Sequence, residues 1–277
     1  MNPLQPIFTA HLYAPLEQAL LDLLRSLNAD EWEQPTIVPN WCVKDIAAHL
    51  LDTQLRRLSL ARDGYFAEAP QISSNADLVA FVNRLNSEGV SLLRRLSPPV
   101  LIALMEVASR ECAAYFEALD PFAPAAFGVS WAGESASPNW FDTAREFTER
   151  WHHQQQIRSA VNKPEIMTRA FYHPVLDTFM RALPFHYRDI ARTHGTLAQF
   201  EVTGECGGVW YLQRDETGWH LLATPVVEPH SRTVIPQGIA WRIFTKGIDR
   251  QSAAAQVSVT GDAELGSHVL SMLSIIG

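Results

Sequence analysis

The chain has 277 residues, 47% of them apolar and 19% charged, which supplies ordinary cores and argues against disorder. A formal charge of -8 and a pI near 5.7, without a local cluster of Lys and Arg, leave no electrostatic footprint for nucleic acid. The opening MNPLQPIFTAHLYAPLEQALLDLL has no basic stretch leading into a continuous apolar run, and no uncharged apolar segment of about 18 residues follows, so no membrane partner and a cytoplasmic location are expected.

In chain order, apolar residues first recur at spacings of three and four, which predicts helices. Leu16, Leu20, Leu23, Leu24 and Leu27 place one helix at about 15–27, closed by Asn28-Ala29-Asp30. A second follows Pro39-Asn40-Trp41, with Cys42 as N-cap, Asp45 in the capping-box position, and Val43, Ile46 and Leu50 carrying it to about Arg62. A third covers about 75–96. Pro98-Pro99 breaks it and opens a fourth, which ends near Leu119. A loop rich in Gly, Ser and Pro at 127–138 precedes a fifth helix at about 139–161, stopped by Asn162-Lys163-Pro164.

At this length two domains are expected, 1–162 and 163–277. The second is predicted to be α+β, with a helix at about 175–183. The strands TLAQFEV, GVWYLQR and WHLLAT are joined by hairpin-like turns, IAWRIFT and AAQVSVTG extend an antiparallel sheet, and a last helix at 262–275 is capped by Asp262. Cys42, Cys112 and Cys206 are odd in number and widely spaced, so they are read as free thiols. Cys42 is a small N-cap residue that a helix dipole would favour as thiolate.

The chemistry concentrates in Glu149-Arg150-Trp151-His152-His153. Residues four apart on a helix have Cβ atoms about 5–6 Å apart, so Glu149 and His153 can direct an oxygen and an imidazole nitrogen at one point. Trp140, Ala144, Phe147 and Trp151 supply a separate packing stripe. Taken alone, the pair also suits a surface ion pair, and His49, midway along the second helix, also suits a core histidine bonded to a carbonyl. Together the three form a two-imidazole, one-carboxylate set that fits zinc, nickel or ferrous iron and leaves positions open for water or substrate.

The segment Gln34-Pro35-Thr36-Ile37-Val38-Pro39-Asn40-Trp41, followed by Val43-Lys44-Asp45-Ile46-Ala47-Ala48-His49-Leu50, together with Glu149 to Arg158, resembles the mycothiol-dependent maleylpyruvate isomerase N-terminal domain of the DinB-like superfamily. The resemblance covers 1–162. It implies an up-and-down helical bundle whose divalent metal falls on His49, Glu149 and His153, zinc first and nickel second. His152 is the rival to His153, set aside because consecutive helix positions diverge by about a hundred degrees. Many relatives carry Asp three residues after the second histidine, where this chain has Gln156. The second domain resembles the sterol-carrier-like domain attached to such bundles, through its strand order and Val259-Thr260-Gly261-Asp262. Arg242 is the expected catalytic arginine.

The resemblance implies an enzyme that activates a low-molecular-weight thiol, mycothiol or an analogue, for attack on an electrophilic small-molecule substrate, as an isomerase or an S-transferase. Addition to a cis double bond, rotation in the saturated adduct and elimination would give the trans isomer. A metal-dependent hydrolase and a non-enzymatic metal-containing ligand-binding protein are the competing readings, and either a monomer or a homodimer is compatible.

Overall fold

The computed structural model describes residues 2–68, 70–225 and 227–276. The fold is α plus α+β, in two compact units: Phe8–Ala126 with Pro138–Ile166, and Met167–Ile275 with Phe127–Ser137 and residues 2–7. Among the described residues no helix is long and apolar enough to cross a membrane.

The helical unit holds α1 (Tyr13–Arg25), a short α2 (Ala29–Trp32), α3 (Val43–Arg57), α4 (Asn75–Leu93), α5 (Pro98–Ala118) and α6 (Asn139–Ala160). Each boundary has a local cause. The Asn28 side chain accepts from the amides of Asp30 and Glu31, and Glu31 returns a bond to the Asn28 amide at 2.8 Å, so the predicted turn carries a capping box of its own. Asp45 accepts from the Cys42 amide at 3.0 Å at the start of α3. Cys42 stands at the N-cap as expected, and burial raises its thiol pKa, against the thiolate alternative. Beyond α3 a π-helical turn, Leu58–Arg62, completes the predicted segment. Leu20, Leu24, Ile46, Leu50, Leu101 and Met105 meet in the bundle core, each at most 1% exposed.

The second unit begins with α7 (Arg169–Met180) and α8 (Leu183–His186). The predicted helix start near Val175 is late, because Pro174 lies inside α7 rather than ahead of it, and the first turn runs from the Thr168 N-cap. The strands are β1 (Leu197–Thr203), β2 (Gly208–Arg214), β3 (Trp219–Leu222), β4 (Ser231–Pro236) and β5 (Ser258–Gly261), in the order β3-β2-β1-β4-β5. Gly204, at φ +91, allows the turn between β1 and β2.

The sheet is mixed where antiparallel pairing was expected throughout. β1 and β4 run parallel, because the hairpin of β2 and β3 occupies one side of β1 and the chain must return to the other. β4 is a strand that the sequence reading passed over. IAWRIFT, predicted as a strand, is instead helix α9 (Gln237–Phe244): its buried residues Ala240, Trp241, Ile243 and Phe244 follow helical spacing, and its aromatic and branched composition misleads. AAQVSVTG divides between α10 (Arg250–Ala254) and β5. Asp262 caps α11 (Ala263–Ser267) through the Leu265 amide at 3.0 Å, but a 3-10 turn at His268–Ser271 and an extended Met272 end the predicted long helix early.

Candidate metal centre

Two helices of the bundle carry the predicted donors, His49 on α3 and Glu149 and His153 on α6, with the rival His152 beside them on α6. Buried ion pairs hold the two helices in register. Arg150, 2% exposed, forms a bidentate pair with Glu17 of α1 at 2.6 and 2.8 Å and donates to the Leu50 carbonyl on α3. Gln54 and Ser109 complete the shell around the Glu17 carboxylate at 3.0 and 2.7 Å. Farther along, Arg57 of α3 is bound by Asp142 and Glu146 of α6, at 2.8 and 2.5 Å. Glu146 is held down to about 2, because Arg57 and Arg145 together outweigh the opposing, larger cost of its burial.

The α6 stripe of Ala144, Phe147 and Trp151 is fully buried, and the Trp151 indole donates to the Ile166 carbonyl, which fixes the rotation of α6 about its axis. That rotation turns the donor stripe inward. His152 and His153 are 2% and 8% exposed and His49 is 6% exposed, while Glu149 keeps 27% of its side chain open.

The ligand atoms of Glu149, His152 and His153 lie within 4.8 Å of one another. Glu149 Oε2 is 3.8 Å from His153 Nε2 and 3.9 Å from His152 Nε2. His49 lies outside that group of ligand atoms and approaches it by its ring, 4.8 Å from the His153 ring at 73°. His49 Nδ1 is buried without a hydrogen-bond partner, and the ring of Trp41, presented by the Pro39-Asn40 turn with Asn40 at φ +66, lies 5.1 Å from the His49 ring. Trp41 also lines a cleft with Glu33, Pro35 and Asp45. Arg242, in α9 of the other unit, sits 5.3 Å over the Trp241 ring with its Nε buried and unpartnered.

Of the two groups that set the tautomers, sequence reasoning marked Gln156 and missed Thr148. His152 Nδ1 lies 2.9 Å from the Thr148 carbonyl, which can only accept, so Nδ1 carries the proton and Nε2 the lone pair. His153 Nδ1 donates to Gln156 Oε1 at 2.8 Å, with the same result. Gln156, already marked in the sequence, thus stands as the hydrogen-bond acceptor one turn beyond His153.

The electrostatics suit a cation. Burial, reinforced by Arg56 and Arg150, lowers His49 to about 3; burial lowers His152 to about 4 and His153 well below its ordinary value, so all three imidazoles are neutral at pH 7. Burial among the surrounding side chains pushes the Glu149 carboxyl up to about 7 despite its partly open edge. An orphaned imidazole nitrogen, two imidazoles with free Nε2 lone pairs and an uncompensated carboxylate form a donor set that a divalent ion fits.

The bundle thus gathers candidate metal donors on two of its helices. The sequence profile described as mycothiol maleylpyruvate isomerase N-terminal domain matches residues 13–158, more than half of the chain, so the protein belongs to that family, one of enzymes of the mycothiol-dependent isomerase type. Its fold resembles two solved structures, each over 91% of both chains: a histidine-to-alanine variant of the mycothiol-dependent maleylpyruvate isomerase, with TM-score 0.54 and 11% identity, and the mycothiol-dependent maleylpyruvate isomerase, with TM-score 0.50 and 12% identity. No curated protein matches the sequence.

Proposed function

We propose that the protein is a divalent-metal-dependent enzyme in which His49, Glu149 and His153 hold the ion and a low-molecular-weight thiol, mycothiol or an analogue, is activated for attack on an electrophilic acid such as maleylpyruvate. The observation that carries this reading is the approach of Glu149 Oε2 to His153 Nε2 at 3.8 Å, with Nδ1 already committed to Gln156, inside the segment that matches the family. When bound, the metal would supply the charge that keeps a thiol deprotonated at neutral pH, where a free thiol is mostly protonated.

The chain's own residues do the rest. Thr148 and Gln156 orient the two imidazoles before any ligand arrives, so little reorganisation accompanies binding. Burial of the histidines and the Trp41 ring against His49 keep water from the donor atoms and strengthen every charge interaction there. Arg150 ties α6 to α1 through Glu17 and to α3 through the Leu50 carbonyl. Arg242 is kept as the proposed catalytic arginine on the family resemblance alone; Arg242→Ala is expected to raise KM far more than it lowers kcat, and unchanged kinetics would remove it from the mechanism.

Elemental analysis of the purified chain tests the centre, with about one divalent ion per chain expected. Turnover of maleylpyruvate and other electrophilic acids with mycothiol, bacillithiol and glutathione, after loading with zinc or nickel, tests the chemistry. Recovery of the trans acid identifies an isomerase, and a stable thioether product a transferase. No metal in the protein and no rise in melting temperature on adding zinc or nickel would overturn the proposal.

A further inference from the structure

We propose that His152 is a fourth protein donor to this centre, beside His49, Glu149 and His153, an inference that rests on reading the site as a metal centre. Consecutive helix positions diverge by about a hundred degrees at the backbone, yet three and four residues beyond Glu149 both lie on the adjacent turn of its face. Side-chain torsions take up the remaining divergence: the His152 and His153 rings lie 4.1 Å apart with 35° between their planes.

The hydrogen bonds then decide which atoms face the carboxylate. With Nδ1 of each ring engaged as donor, to the Thr148 carbonyl and to Gln156, each Nε2 turned toward Glu149 carries a lone pair. Both Nε2 atoms stand 3.8 to 3.9 Å from the carboxylate oxygen, beyond hydrogen-bonding range. The ligand atoms of the three side chains lie within 4.8 Å of one another, a grouping that a cation between them would stabilise. Two donors on one tetrahedral ion, with bonds of about 2.0–2.2 Å, are separated by roughly 3.3–3.6 Å, so a contraction of a few tenths of an ångström closes the observed gap onto a metal. His152 satisfies this geometry as well as His153 does, and at 2% exposure it has no solvent to turn to.

Four protein donors change what the centre offers. A three-ligand zinc site leaves its fourth position to an exogenous ligand, whereas here an added thiol would join as a fifth donor, a coordination number zinc and cobalt both reach. The arrangement also accounts for the paired histidines, one of which the three-donor reading leaves without a role.

The experiment replaces His152 in the full chain and follows metal alone, using zinc affinity by chelator competition and the absorption spectrum of the cobalt-loaded protein. His152→Ala is expected to weaken zinc binding by more than about 100-fold, beyond the 10- to 100-fold that loss of a supporting contact costs, and to match His153→Ala. His152→Cys is expected to bind cobalt with a new thiolate-to-cobalt charge-transfer band in the near ultraviolet, absent from the wild-type protein. That band does not depend on the stability of the alanine variant, and a packing role would not produce it. Zinc affinity within threefold of wild type in His152→Ala, or no new band in a folded, cobalt-binding His152→Cys, would overturn the proposal while leaving the three-donor centre standing. A wild-type chain that binds no metal would instead end both.

Discussion

Replacing Gln156 by Glu keeps the side chain's length and shape and changes only the charge of the atom that accepts from His153 Nδ1. In the metal-loaded protein the neutral hydrogen bond, worth about 1 kcal/mol, becomes charge-assisted and gains roughly another 1 kcal/mol, so the imidazole becomes a better donor and the ion binds about five- to tenfold more tightly. In the metal-free protein the same carboxylate is 96% buried beside neutral imidazoles, since Gln156 itself is 4% exposed. The loss of stability there has a ceiling. At pH 7 a carboxyl with an unfolded pKa of about 4.3 can cost the folded state at most about 4 kcal/mol, because beyond that it folds protonated. Gln156→Glu should therefore lower the melting temperature of chelator-treated protein by roughly 4–10 °C and that of the loaded protein by much less, widening the interval between the two. Differential scanning calorimetry with and without zinc, beside chelator competition, measures both. Equal losses in the two forms would refute the reasoning, by showing that Gln156 fills space and does not act through His153.

Arg150→Met should cost about 3–5 kcal/mol in urea unfolding, because it strands the Glu17 carboxylate, and adding Glu17→Gln should recover most of that loss; additive losses would mean that the ion pair does not act as a unit. The metal-free protein should lose stability as pH falls from about 6.5 to 4, since the folded pKa values of the histidines lie below the unfolded one and the unfolded chain takes up protons first. The raised Glu149 carboxyl acts in the opposite sense between about 4.5 and 7, but one carboxyl is outnumbered by three imidazoles, and a urea midpoint that stays flat or rises toward pH 5 would contradict the assignment. Limited proteolysis should cut between Asn162 and Thr168 and release a fragment 1–162 that folds as a mainly helical protein; a fragment without a cooperative transition would move the boundary.

The sequence by itself determined the helical bundle, because each of its long helices carries an amphipathic stripe between recognisable stops, and the Cys42 and Asp262 caps could be read from residue type and spacing. It also pointed to His49, Glu149 and His153 as candidate donors, and set His152 aside. Tertiary structure decided the rest. IAWRIFT has strand composition and became α9 because Trp241 and Phe244 are buried on one helical face, while Ser231–Pro236, unremarkable in sequence, became a strand because β1 offered it a free edge. The acceptors that set the tautomers of His152 and His153 lie one turn away on α6 itself, yet only the rotamers adopted in the packed bundle turn both Nε2 atoms toward Glu149. Helix periodicity fixes where a side chain leaves the backbone; packing against α1 and α3 fixes where its donor atom ends, and a metal responds to the atom.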